Sequence, residues 1–157
     1  MEIEGSTSAA GCRFAVIVSR FNAEITAGLL RGALAALRAA AVADVDVTVV
    51  RVPGAFELPL TARHLAESGR FDAVIALGCV IKGDTMHFEY IAESVSHGLM
   101  HVSTSTRVPV AFGVLTTLNE QQAIERAGDG PGNKGQEAAA AAIEMATLMR
   151  QLPKGRA

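Results

Sequence analysis

Four unbroken apolar runs punctuate the chain: "RFAVIVS" (Arg13 to Ser19), "VDVTVVRV" (Val45 to Val52), "FDAVIALGCV" (Phe71 to Val80) and "VPVAFGVLT" (Val108 to Thr116). No other feature limits the fold as strongly. Continuous rather than alternating apolar residues belong to strands buried on both faces, as in a parallel sheet covered by helices. Parallel strands need long crossovers, and the intervening stretches are long enough to supply them as helices, over 22–41, 56–68, 85–105, 119–126 and 133–151. Two helix starts carry their own marks, Asn119 with Gln122 three residues on and Asn133 with Gln136. The order predicts an α/β fold, a three-layer α/β/α sandwich with a four-stranded parallel sheet of flavodoxin-like architecture.

A length of 157 residues suits one domain, 1–157, with residues 1–12 as an N-terminal arm whose "EIE" could add an edge strand, to its own sheet or to a neighbouring subunit. "AGDGPGNKG" reads as a kink between the last two helices, not a linker. With a formal charge of −2 and scattered basic residues, the chain has no global attraction for nucleic acid or anionic lipid. The two cysteines, Cys12 and Cys79, lack CxxC spacing and fit a reducing compartment. There is no leader-like apolar segment and no run long enough to span a bilayer, so a soluble cytoplasmic protein is expected.

Ligands of open parallel sheets sit beyond the carboxyl ends of the strands. The residues just after each run are therefore informative. Phe21 comes after the first, Phe56 and Glu57 after the second, and Phe112 lies within the fourth; with only six phenylalanines in the chain, that edge can hold something flat. After the third comes "GCVIKGDTMHFEY", where Asp84 and Thr85 turn into a helix whose first amides attract an anion unless Asp84 caps them itself. His87 lies one turn in, and histidine is a residue type suited to carrying protons near neutral pH, although a lone histidine is more often structural. No GxGxxG follows the first run, which disfavours a dinucleotide fold; "GPGNKG" lacks the Gly-Lys-Ser/Thr order of a Walker loop and comes after a helical stretch, and no GxSxG nucleophile elbow is present. Glu93, His97 and His101 share one helix face but read as a solvated or subunit-facing stripe, so no metal is expected there.

"SRFN", "VPGAFELP", "GCVIKGDTMHFEY", "VPVAFGVLTT" and "AIERAG" followed by "NKGQEAA" occur in order along nearly the whole chain, which in these motifs resembles the lumazine synthase family. The resemblance implies condensation of 5-amino-6-(D-ribitylamino)uracil with 3,4-dihydroxy-2-butanone 4-phosphate, without metal or cofactor. It implies that Phe21 stacks on the pyrimidine, and that Ala55, Phe56 and Glu57 line the ring and ribityl chain. Cys79, Val80 and Ile81 would offer backbone groups to the uracil. Phe112 would close the pocket from an adjacent subunit, and Lys134 would complete it. Asp84, Thr85 and Arg126 would hold the phosphate, with His87 moving protons. Met86 departs from the family pattern, where proline or threonine is common, and Lys82 reads as a solvated residue.

The implied partners are small-molecule substrates and further copies of the chain, a homopentamer with sites between subunits. The short "RAGDGPGNKG" and the arm "MEIEG" favour an icosahedral shell of pentamers, Pro131 opposes it, and association with riboflavin synthase is a further partner the family suggests. Two rivals remain at this level: a flavin- or lumazine-binding or shell protein without catalysis, and a flavodoxin-like electron carrier. The second is disfavoured because "SRFNAEIT" comes after the first run where such a carrier has a Ser/Thr-rich phosphate loop.

Overall fold

Each apolar run forms a strand in the computed structural model, which describes residues 1–155: β1 (Phe14–Ser19), β2 (Val47–Val52), β3 (Ala73–Ile81) and β4 (Val110–Thr117). Arg156 and Ala157 lie outside the described residues. The helices are α1 (Ala23–Ala39), α2 (Leu58–Glu67), α3 (His87–Thr106), α4 (Glu120–Ala127) and α5 (Lys134–Gln151), with a 3₁₀ turn at Ala55–Glu57 before α2. All strand pairs are parallel, in the order β2-β1-β3-β4. From β1 the chain crosses to β2 on one side and then returns to β3 on the other. The strand order thus reverses between β1 and β3, where open α/β sheets form their ligand crevice.

Alternation along β1 sorts the two faces. Phe14, Val16 and Val18 join a core with Leu29 and Leu37 of α1 and with Ala138, Ala139 and Ala142 of α5. Ala15 and Ile17 join a second core with Leu58 and Ala62 of α2 and Val95, Leu99 and Val102 of α3. The result is a three-layer flavodoxin-like sandwich. Small residues let α1 and α5 touch: a side-chain carbon at Gly135 would overlap the carbonyl of Leu29. The amino ends of the strands are sealed by Arg150, whose guanidinium forks onto Asp72 at 3.0–3.1 Å, while Asp72 Oδ2 accepts the Arg13 N–H at 2.7 Å.

Both expected helix caps form. Asn119 Oδ1 accepts the Gln122 N–H at 2.9 Å and Asn133 Oδ1 accepts the Gln136 N–H at 3.0 Å. Asn133 does more than cap. It is 2 % exposed, and its Nδ2 is shared among the carbonyls of Gly28, Ala127 and Gly128 at 3.0, 3.2 and 3.0 Å. One side chain therefore ties α1, the end of α4 and the start of α5.

Three features differ from the sequence reading. β2 is not buried on both faces: Thr48, Val49 and Arg51 are exposed, because β2 is an edge strand and α2 packs over β1 and β3 instead. The arm forms no strand; it lies along α5 of its own chain, with the Ser6 N–H donating to Thr147 Oγ1 at 2.7 Å and Gln151 Nε2 to the Glu4 carbonyl at 2.7 Å. Helix α3 begins at His87 rather than at Thr85, leaving 82–86 as an exposed loop.

The Asn133 network makes a discriminating prediction. Asn133→Asp keeps the acceptor that caps α5 but removes the donors to three carbonyls and places a charge beside them, so it should destabilise the protein by roughly 2–4 kcal/mol. Thermal denaturation of parent and variant measures this, and a melting temperature equal to the parent's would show that the three carbonyls find replacement partners at no cost.

Candidate active site

Beyond β1 the ladder continues into the loops. The Arg20 N–H donates to the Val52 carbonyl at 2.8 Å and the Phe21 N–H to that of Pro53 at 3.0 Å, so the segments after β1 and β2 run side by side. Asn22 then turns the chain. It adopts the left-handed conformation (φ 59°, ψ 51°), uncommon outside glycine but tolerated by asparagine, and its Nδ2 donates to the Cys79 carbonyl at 3.0 Å. This tethers the start of α1 to the end of β3 and leaves the Phe21 ring outside the core, 70 % exposed.

Phe56 stands opposite on the 3₁₀ turn, also mostly exposed. Two exposed aromatic rings in a chain with six phenylalanines are costly to leave in water, so they mark a binding surface rather than packing. Glu57 closes the turn by accepting the Gly54 N–H on Oε2 at 2.9 Å, and its Oε1 makes no hydrogen bond among the described residues. The resulting cleft, about 660 Å³, is bounded by Phe21, Ala55, Phe56, Glu57, Cys79, Val80, Ile81 and His87, together with Asn22, Pro53, Gly54 and Ile91. These last four are not singled out by the sequence. Asn22, sitting just before a helix, carries the only readable signal, since its residue type tolerates the left-handed turn.

Cys79 is buried in the floor of the cleft, and that burial pushes its thiol up to about 11. It is held as a neutral thiol at physiological pH and is no nucleophile. What it offers to the cleft region is backbone, and its carbonyl is already engaged by Asn22.

The loop at 82–86 carries Asp84 and Thr85, both exposed and neither lining the cleft itself. The alternative in which Asp84 caps α3 does not hold. Met86 stands at the N-cap position without a side-chain cap, and only Thr85 Oγ1 comes within reach of the His87 N–H, at 3.5 Å. The first amides of α3 thus remain open toward an anion.

The remaining sequence candidates lie elsewhere. Phe112, Arg126 and Lys134 line a separate groove of about 380 Å³ along β4, the opposite sheet edge from β2. Phe112 is 47 % exposed there. Arg126, in the last turn of α4, donates from Nη1 to the Gln122 carbonyl at 3.1 Å, and Lys134 Nζ sits 2.7 Å from Glu137 Oε2. The candidates therefore fall into two groups on one chain: an aromatic cleft with His87, and a cationic groove with Phe112. Among the described residues no group of three or more His, Cys, Asp or Glu side chains is placed to hold a metal ion, and Glu93, His97 and His101 are exposed.

A comparison with protein-family models matches residues 11–150 to the model described as 6,7-dimethyl-8-ribityllumazine synthase. The matched span includes every residue of the cleft and of the groove.

The state of Cys79 is testable through stability. Its folded pKa is raised from 9.0 to about 11, so the folded state holds the proton more tightly, and the stability this confers is present below pH 9 and lost as pH rises from about 9 toward 11. Cys79→Ala should flatten that alkaline decline, a difference visible in melting temperatures taken at about pH 8 and about pH 10.5 for the two proteins. Parallel declines would mean that the thiol is not the titrating group.

Proposed function

The chain belongs to the 6,7-dimethyl-8-ribityllumazine synthase family, whose members are transferase-type enzymes of riboflavin biosynthesis, and on that premise we propose that it makes the lumazine itself. The reaction condenses 5-amino-6-(D-ribitylamino)uracil with 3,4-dihydroxy-2-butanone 4-phosphate. The pyrimidine's own 5-amino group attacks the ketone and loses water to form an imine; phosphate is eliminated; the ribitylamino nitrogen then closes the second ring with loss of another water. Lumazine, phosphate and two waters balance the two substrates. The substrate supplies the nucleophile, which is why a neutral Cys79 thiol and a sequence without a GxSxG serine raise no difficulty.

The observation that carries this reading is the division of the candidate residues between two depressions. The cleft has the flat surfaces a pyrimidine needs, Phe21 and Phe56, with Glu57 for the polyol and backbone at Cys79, Val80 and Ile81 for the uracil. His87 in its lining serves proton transfer, and beside the cleft are the open amides of α3, Asp84 and Thr85 for phosphate. What the cleft lacks is a guanidinium or ammonium among its lining residues, and the groove along β4 supplies both, Arg126 and Lys134, with Phe112. A copy of the chain docked by its β4 edge against the cleft of another completes the site, and Arg126 then offers the phosphate a two-pronged contact.

Such head-to-tail docking is heterologous, the kind of contact that forms a ring when the rotation between copies closes. We take the ring to be a homopentamer of single-domain chains, 1–157, each with its arm at 1–12, acting in the cytoplasm. Whether pentamers continue into an icosahedral shell turns on the kink around Pro131 and on the arm, which in one chain is bound along α5. An association with riboflavin synthase belongs to the same reading. No described helix is long and apolar enough to cross a membrane.

Incubating the purified protein with both substrates should yield the fluorescent lumazine, and no product above the uncatalysed rate would refute the reading. His87→Ala should lower kcat by about 10²-fold with little change in KM, since a proton carrier acts mainly in the transition state. Unaltered turnover would remove His87 from the chemistry.

A mixing experiment addresses the shared site. His87→Ala and Arg126→Ala proteins, each impaired alone, should regain about a quarter of parent activity when refolded together in equal amounts, because random assembly pairs two intact half-sites at that frequency. Activity that stays at the average of the two variants would place both residues in one chain's site.

A further inference from the structure

Helix α3 starts with a conflict of charge. Met86 at its N-cap position cannot satisfy the first amides, and the acidic residue of its first turn, Glu89, complements the positive end of the helix instead. Yet that same end is where the phosphate is held in the function proposed above, on which this inference rests. A carboxylate in the first turn opposes any anion bound there. Glu89 is also poorly screened: its side chain is about one third exposed, and its Oε2 is shut off from solvent with no hydrogen-bond partner among the described residues. Asp84, by contrast, is in an exposed loop where water and salt weaken its charge.

Lys82 lies across the loop from this carboxylate. Its N–H donates to the Thr117 carbonyl at 2.8 Å, which fixes its backbone at the junction of β3 and β4, and its Nζ reaches Glu89 Oε1 at 3.4 Å. We infer that Lys82 tunes the anion site through Glu89, cancelling a carboxylate that supports the start of α3 but would otherwise repel the phosphate bound at that start. Lys82 is thus a positioning charge rather than a phosphate ligand. Sequence alone makes it a solvated residue, and nothing in "VIKGDT" marks its partner on the far side of the loop.

The test uses full-length Lys82→Met, Glu89→Gln and the double variant. Binding of inorganic phosphate is measured by calorimetry, alongside KM for each substrate and kcat. Lys82→Met should weaken phosphate and raise KM for the butanone phosphate roughly fivefold to tenfold, with the pyrimidine KM and kcat within about twofold of the parent. Glu89→Gln should bind phosphate at least as well as the parent. The double variant should return to within about twofold of it, and Lys82→Arg, which keeps the charge, should behave as the parent does. A double variant as weak as Lys82→Met would make Lys82 a direct phosphate contact and overturn the inference. Equal weakening by Glu89→Gln would overturn it in favour of a purely geometric clasp, and an inert Lys82→Met would leave it without basis. Parent protein that forms lumazine but binds no phosphate rejects the inference alone. Parent protein that does neither rejects the function from which it starts.

Discussion

The hydrogen-bonded parallel ladder is the constraint from which the rest of this molecule descends. Parallel strands cannot be joined by hairpins, so every connection must cross a face of the sheet, and a sheet so wrapped has apolar residues on both sides of its inner strands. β1 and β3 show this in full, buried along nearly their whole length between α1, α4 and α5 on one face and α2 and α3 on the other. The same constraint gathers every segment that leaves a strand at one edge of the sheet. That is why Phe21, the turn at Ala55–Glu57 and the start of α3 meet in one cleft although up to 66 residues separate them in sequence, counting from Phe21 to His87.

Polar contacts divide the labour at the two ends of the strands. At the amino end, Arg150, Asp72 and the Arg13 amide satisfy one another. At the carboxyl end the hydrogen bonds are spent on shaping loops: Asn22 on the Cys79 carbonyl, Glu57 on the Gly54 amide, Asn133 on three carbonyls. Because an unpaired buried polar group costs more than a made bond gains, these few contacts hold their loops in one arrangement rather than merely adding stability. The first amides of α3 are the exception, left without a side-chain cap beside the cleft. Openness there is what an anion site requires.

Under the proposed reading, edge strands take on a functional meaning. An exposed β4 edge with Phe112, Arg126 and Lys134 near it would be an aggregation liability in a lone subunit. As one half of a shared site it becomes the specific surface that another copy must cover. The arm on α5 and the exposed β2 edge leave a second surface for assembly, with less chemistry attached to it.

Much of the architecture is legible in the amino-acid order. The apolar runs set the four strands to within a few residues, the spacing sets the crossovers, and Asn119 and Asn133 announce their helices, because burial pattern and capping are local chemistry. Most residues of the cleft are legible too, since they come directly after strands. Three things are not. The exposure of β2 depends on its place at the sheet edge, the helix start at His87 on a loop without a cap, and the partnership of Lys82 with Glu89 on a turn that only the folded loop creates. Sequence thus determined which residues could do chemistry and which strands carried them. Tertiary structure alone decided that Arg126 and Lys134 belong to a different depression from Phe21 and His87, because the side a strand's neighbours take is set by crossover packing across the whole sheet, and no local pattern records it.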